Sequence, residues 1–82
     1  MAYYVYILQS LKDSKYYIGE TPNVQKRLLF HNSGYQRSTK SRIPFRLVMF
    51  EEYPNRIEAL KREKQIKSWK GGRAFKLLIK GM

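Results

Sequence analysis

The amino-acid sequence predicts an α+β domain: a small three-stranded antiparallel sheet flanked by helices, in the order ββαβα plus a short C-terminal helix. Three observations predict it. Two β-branched and aromatic runs, residues 3–8 and 15–19, lie either side of the turn-like Lys12-Asp13-Ser14. A third run, 45–53, ends at Pro54. Two stretches carry helix-start chemistry, Thr21-Pro22 and Asn55 with Glu58 three residues on. Helices segregated onto a small antiparallel sheet make this class of fold.

Each element follows in order. Tyr3-Tyr4-Val5-Tyr6-Ile7-Leu8 is the first strand, and Lys15-Tyr16-Tyr17-Ile18-Gly19 returns as its hairpin partner. A two-residue loop at 12–13 or a four-residue loop at 11–14 sets Tyr6 opposite Gly19 and Leu8 opposite Tyr17. Directly opposed residues share a face, so Tyr6 and Tyr17 meet on one side of the sheet. Thr21 as N-cap and Pro22 at the first helical position start a helix that runs through Val24, Arg27, Leu28 and His31 and stops near Asn32-Ser33-Gly34. Residues 35–44 are polar and basic and predict a loop. Phe45 to Tyr53 is the third strand. Asn55 caps a second helix that reaches about Trp69, Gly71-Gly72 breaks it, and Arg73 to Ile79 forms the last short helix. A helical crossover after the hairpin puts the first strand in the middle of the sheet.

The chain has 82 residues, which is one domain, residues 1–82. With no cysteine there is neither a disulfide framework nor a thiolate metal site, and one histidine rules out a Cys/His zinc site. The lack of cysteine fits a reducing compartment, so a cytoplasmic location is expected. No apolar run approaches the roughly 18 residues of a membrane span, and no secretory signal is visible. The net charge is +11, from 17 Lys and Arg against 6 Asp and Glu. Such a bias favours a polyanion partner, nucleic acid first, by steering and counterion release; a basic face kept for solubility is the plainer reading.

The candidate chemistry begins on the second helix. At about 100° per residue, with Ala59 at zero, Leu60 lies at about 100°, Ile66 at about −20° and Glu63 at about 40°. Glu63 therefore falls in the middle of the apolar stripe, while Arg62 and Lys64 beside it point elsewhere. A carboxylate there requires a cation. A salt bridge to an inward Arg and a bound metal ion both satisfy it. Glu58 is read as a capping residue.

On the first helix, Arg27 and His31 are four apart and share a face. That face is either an ordinary exposed basic surface or a guanidinium for phosphate beside an imidazole for proton transfer. Seven tyrosines are present, five of them in the hairpin. Aromatic packing accounts for Tyr3, Tyr4 and Tyr16. Gly19 either relieves crowding opposite Tyr6 or admits a close backbone approach. Glu20 adds a negative charge beside it.

Tyr4-Val5-Tyr6, ten residues, and Tyr17-Ile18-Gly19 together resemble the signature of the GIY-YIG nucleases, with the first element degenerate and the second intact. Arg27 with His31, and Glu63 within residues 58–67, resemble the family's downstream residues. The likeness spans nearly the whole chain and is greatest to the small stand-alone bacterial members of the YhbQ type. It implies an endonuclease that hydrolyses phosphodiester bonds in DNA, or in RNA, in repair or processing. Glu63 would hold one Mg²⁺ or Mn²⁺, Tyr6 would act as general base with His31 taking or relaying its proton, Tyr17 would position water or phosphate, and Arg27 would stabilise phosphate charge. Lys26, Arg37, Lys40, Arg42, Lys67 and Lys70 are the expected contacts to the polyanion. The alternative is a module that keeps the fold and binds nucleic acid without cutting it.

Overall fold

The computed structural model describes residues 2–81. Three strands and four helices follow one another: β1 (Tyr3–Ser10), β2 (Tyr16–Thr21), α1 (Val24–Asn32), α2 (Arg37–Lys40), β3 (Phe45–Tyr53), α3 (Arg56–Trp69) and α4 (Arg73–Lys80). The sheet order is β2-β1-β3, antiparallel throughout, with β1 in the middle as the crossover predicts.

The hairpin register is the one the turn length requires. Tyr6 faces Gly19 and Leu8 faces Tyr17. Asp13 and Ser14 close the turn locally: the Ser14 amide donates to the Ser10 carbonyl at 3.0 Å and the Lys15 amide to Asp13 Oδ1 at 2.9 Å. On the other side, β1 and β3 slip register between Ile7 and Leu8, at a β-bulge.

Two details of the helices differ from the sequence reading. The cap of α1 is Asn23, not Thr21: Asn23 Oδ1 accepts from the Lys26 amide at 3.0 Å. Thr21 is instead the buried last residue of β2, and its hydroxyl exchanges hydrogen bonds with the Asn23 backbone. Pro22 consequently lies in the turn before the helix. Asparagine caps at least as well as threonine, so local chemistry allowed either choice, and the strand pairing of Thr21 decided it. The second difference is α2, a single helical turn inside the segment expected to be loop.

The other boundaries hold. Asn55 Oδ1 accepts from the Glu58 amide at 2.9 Å and starts α3. Gly34 and Gly71 end α1 and α3 with φ of +82° and +84°, backbone that favours glycine. Asn32 binds α1 to β3, accepting from the Phe45 amide at 2.6 Å and donating to its carbonyl at 3.1 Å.

Alternation along β1 supplies both faces of the core. Val5 and Ile7 pack with Ile18, Met49, Ala59, Ile66 and Phe75 under α3 and α4. Tyr6 and Leu8 pack with Phe45 beneath α1, joined by Tyr17, Val24 and Leu28. The stripe of α3 is rotated from its expected centre. Ala59 and Ile66 are buried, and so in part is Arg62, which was expected to point away. Its guanidinium grips both Glu51 oxygens at 2.8 and 3.1 Å and lies 5.2 Å from the Trp69 ring centre. Glu63 is half-buried on the opposite flank of the stripe, facing β2.

Candidate active site

The site straddles the free edge of β2. Tyr6 stands on the central strand, so its hydroxyl reaches the edge only by crossing its neighbour. The residue it crosses is Gly19. A methyl group built on Gly19 would lie 2.5 Å from the Tyr6 oxygen and 2.7 Å from Cζ. The absence of a side chain at 19 is therefore what lets the phenol through. Of the two roles foreseen for this glycine, relief of crowding opposite Tyr6 is the one the packing requires.

Four elements converge there on a pocket of about 250 Å³ lined by Tyr6, Tyr17, Gly19, Arg27, Glu63 and Lys67, among others. Tyr6 comes from β1, Tyr17 from β2, Arg27 from α1 and Glu63 from α3. The two phenol rings lie 6.4 Å apart, nearly parallel at 26°. Arg27 is held near the opening, its guanidinium 5.4 Å from the Phe30 ring centre.

His31 does not line the pocket. It is fully buried behind Tyr6, and Nε2 lies 3.2 Å from the Tyr6 hydroxyl. Nδ1 lies 3.3 Å from the Thr39 hydroxyl, which itself donates to the Gln36 carbonyl at 3.3 Å. With the Thr39 proton on that carbonyl, its oxygen accepts from His31 Nδ1–H. The bare Nε2 then accepts from the Tyr6 O–H. That arrangement, one of the two that the imidazole tautomers allow, aims the Nε2 lone pair at the phenol. Thr39 is fully buried in α2, and sequence reading passed over it as part of a polar loop. A hydroxyl within ten residues of the lone histidine was the available signal.

The electrostatics keep both groups neutral at rest. Burial, then the neighbouring Tyr17, push the Tyr6 pKa well above its ordinary 10.0; Glu63 and Glu20 add to the rise and Arg27 opposes it. Burial, then the Arg27 charge, hold His31 below its ordinary 6.5, so the imidazole is neutral at pH 7. Both shifts oppose spontaneous transfer of the phenol proton to the imidazole, so the proton leaves Tyr6 only as another arrives.

The acids are two. Glu63, expected to be held by an inward Arg or a metal, is paired with Lys67 one turn on, Oε2 to Nζ at 2.7 Å. Lys67 is 53% exposed, so it is free to swing out. Glu20 lines the same pocket, with Oε1 paired to Arg56 at 3.1 Å and Oε2 buried with no hydrogen-bond partner. Among the described residues no cluster of three or more His, Cys, Asp or Glu could hold a metal ion. One or two carboxylates with retained water is nevertheless the usual protein share for Mg²⁺, and the orphaned Glu20 oxygen suits a cation. Glu63 and Glu20 fit that role.

The expected polyanion contacts divide. Lys67 lines the pocket, and Lys26 lies beside Arg27 on α1. Arg42 and Lys70 line a different cleft. Arg37 and Lys40 are exposed on α2 and line neither.

Residues 2–76 match the family model described as the GIY-YIG catalytic domain. A UPF0213 protein of Syntrophus aciditrophicus is 50% identical over 78 residues, covering 93% of this chain and 86% of its own. A UPF0213 protein of Staphylococcus saprophyticus is 38% identical over 80 residues, 96% of each chain. The solution NMR structure of a UPF0213 protein from Bacillus halodurans superposes with a TM-score of 0.61 at 37% identity, covering 98% of this chain and 84% of that one. Among the described residues no helix is long and apolar enough to cross a membrane.

Proposed function

We propose that this chain, which belongs to the GIY-YIG catalytic domain family, is a metal-dependent endonuclease that hydrolyses phosphodiester bonds of DNA at the pocket over Gly19. The observation that carries the reading is the convergence of two phenols, a guanidinium and a carboxylate from four separate elements on one opening, with the lone histidine hydrogen-bonded behind it.

Tyr6 and His31 work as one base. The raised Tyr6 pKa means that phenolate is not the resting form. As the Tyr6 oxygen takes a proton from the attacking water, its own proton passes to His31 Nε2, which Thr39 keeps bare. Arg27 meets the phosphate oxygens and stabilises the charge that develops on them. Tyr17 orients water or phosphate through its hydroxyl. A divalent ion, Mg²⁺ or Mn²⁺, would be held by Glu63 with Glu20 behind it, and would supply polarisation of the phosphate and charge neutralisation at the leaving oxygen. The pathway we assign is DNA repair or processing.

The binding-only reading draws on the Glu63–Lys67 pair, which already neutralises the acid that faces a polyanion. One experiment separates the two. DNA substrates of several structures are incubated with Mg²⁺, with Mn²⁺ and with chelator, using the wild-type chain and Glu63→Ala. The nuclease reading expects metal-dependent cleavage that the variant loses while DNA binding remains. Equal cleavage by both proteins removes Glu63 from the chemistry, and none from either leaves the binding module.

A further inference from the structure

A second cleft lies outside the active-site pocket. It measures about 520 Å³ and sits between the β1–β2 turn, the α3–α4 junction and α4. Its wall is apolar, built from Tyr16, Phe75 and Ile79, with the two aromatic rings edge to face at 5.1 Å. Its rim carries Lys15, Arg42, Lys70 and Lys76, and no carboxylate lines it among the described residues.

These cations are not balanced. Asp13 reaches Arg42 Nε at 3.2 Å and its charge also acts on Lys15, but among the described residues no carboxylate pairs with Lys70 or Lys76. Arg42 Nη2 is buried with no hydrogen-bond partner. Burial, then the charges of Arg42, Lys67 and Lys15, push the Lys70 pKa down, so the cations crowd one another. Crowded like charges around a half-dry wall cost stability that a bound anion would offset.

The cleft and the active-site pocket draw neighbouring residues from β2 and from the end of α3. Lys67 of that pocket is one helical turn, about 4.5 Å of rise, before Lys70. Tyr16 of the wall lies three residues from Gly19 on β2, roughly 10 Å along the strand.

We propose that this cleft is a nucleotide subsite: it takes one unpaired nucleotide of the bound strand, with the base against Tyr16, Phe75 and Ile79 and the phosphate on Arg42 and Lys70. The assignment rests on the nuclease reading for the strand's path, and on the cleft's own chemistry for the ligand. An apolar wall answers the base, whose face packs on aromatic side chains whatever its identity. A guanidinium with ammonium groups answers the phosphate.

The test is binding to the full chain in chelator, where nothing is cut. The probes are a deoxynucleoside 5′-monophosphate, inorganic phosphate, a short single-stranded oligonucleotide and anionic lipid vesicles. Amide chemical shifts locate each ligand, and Trp69, the chain's one tryptophan, reports binding next to Lys70. The nucleotide is expected to shift residues around Tyr16, Lys70 and Phe75, to bind more tightly than phosphate, and to compete with the oligonucleotide. Lys70→Ala with Lys76→Ala, both exposed positions, is expected to weaken oligonucleotide binding at least tenfold. Nucleotide shifts confined to Tyr6 and Arg27, phosphate binding equal to nucleotide, or vesicle binding that the nucleotide does not displace would each overturn the proposal. So would an unchanged affinity of the double variant. DNA cleavage by that variant with unaltered KM would overturn the cleft and keep the nuclease. Nucleotide bound in the cleft of a chain that cuts no DNA would do the reverse.

Discussion

Gly19→Ala tests the construction of the site most directly. The added methyl carbon would stand 2.7 Å from Tyr6 Cζ and 3.1 Å from Cε1, where carbon atoms in contact keep about 3.5–4.0 Å. The overlap is close to 1 Å on a ring that is 3% exposed. The ring has no room to retreat, because His31 and Phe45, both buried, lie behind it. Overpacking of this kind costs about 1–3 kcal/mol. For a domain of this size each kcal/mol lowers Tm by about 4–8 °C. The same displacement pulls the Tyr6 hydroxyl from His31 Nε2, so cleavage is expected to fall at least as far as in Tyr6→Phe. Thermal and urea unfolding of the variant, beside Gly19→Ala in a Tyr6→Ala background, isolate the contact. With the ring gone the three shortest contacts of the new methyl group are removed, and its cost should fall by at least about 1 kcal/mol between the two backgrounds. Wild-type stability for Gly19→Ala, or an equal cost in both backgrounds, would refute the idea that the glycine exists to let the phenol cross.

Two further outcomes follow from the buried chain behind Tyr6. Because His31 is the only histidine, long-range ¹H–¹⁵N correlation spectra report its tautomer without ambiguity: protonated Nδ1 is expected in the wild type and in Thr39→Ser, and a shift toward protonated Nε2 in Thr39→Val, with a stability loss of about 1–3 kcal/mol from the unpaired buried group. A wild-type spectrum showing protonated Nε2 would reverse the assigned direction of proton flow. The second concerns pH. The folded chain holds His31 below its ordinary 6.5, so between the folded and unfolded values the unfolded chain binds more protons. Stability should therefore rise with pH up to about 6.5, and the contribution should be lost as pH falls through the folded value. Denaturant midpoints from pH 5 to 8 would show it, and the same slope persisting in His31→Gln would assign it to another group.

Much of this architecture was legible in the order of residues because it is local. Strand alternation, the turn at Lys12-Asp13-Ser14 and the even loop length together dictate the Tyr6–Gly19 register, since a slip of one residue would turn every apolar side chain outward. Asn55 as a cap and Gly71 as a stop depend only on their own backbone. The placement of Tyr6 with Tyr17 follows from pairing parity alone.

What tertiary structure decided were choices between locally equivalent options. Thr21 and Asn23 both cap helices, and pairing in β2 selected Asn23. The wheel put Glu63 at the centre of the buried stripe, but Leu60 is exposed and the stripe centres on Ala59 and Ile66, so the acid lies on its flank and meets the edge of β2. Thr39 looked like one more polar residue of a basic loop; only the docking of α2 against α1 buries it on the histidine. Periodicity and capping act over a few residues and are written in the chain, whereas the direction a half-buried charge or hydroxyl turns depends on partners distant in sequence, which only folding brings within hydrogen-bond reach.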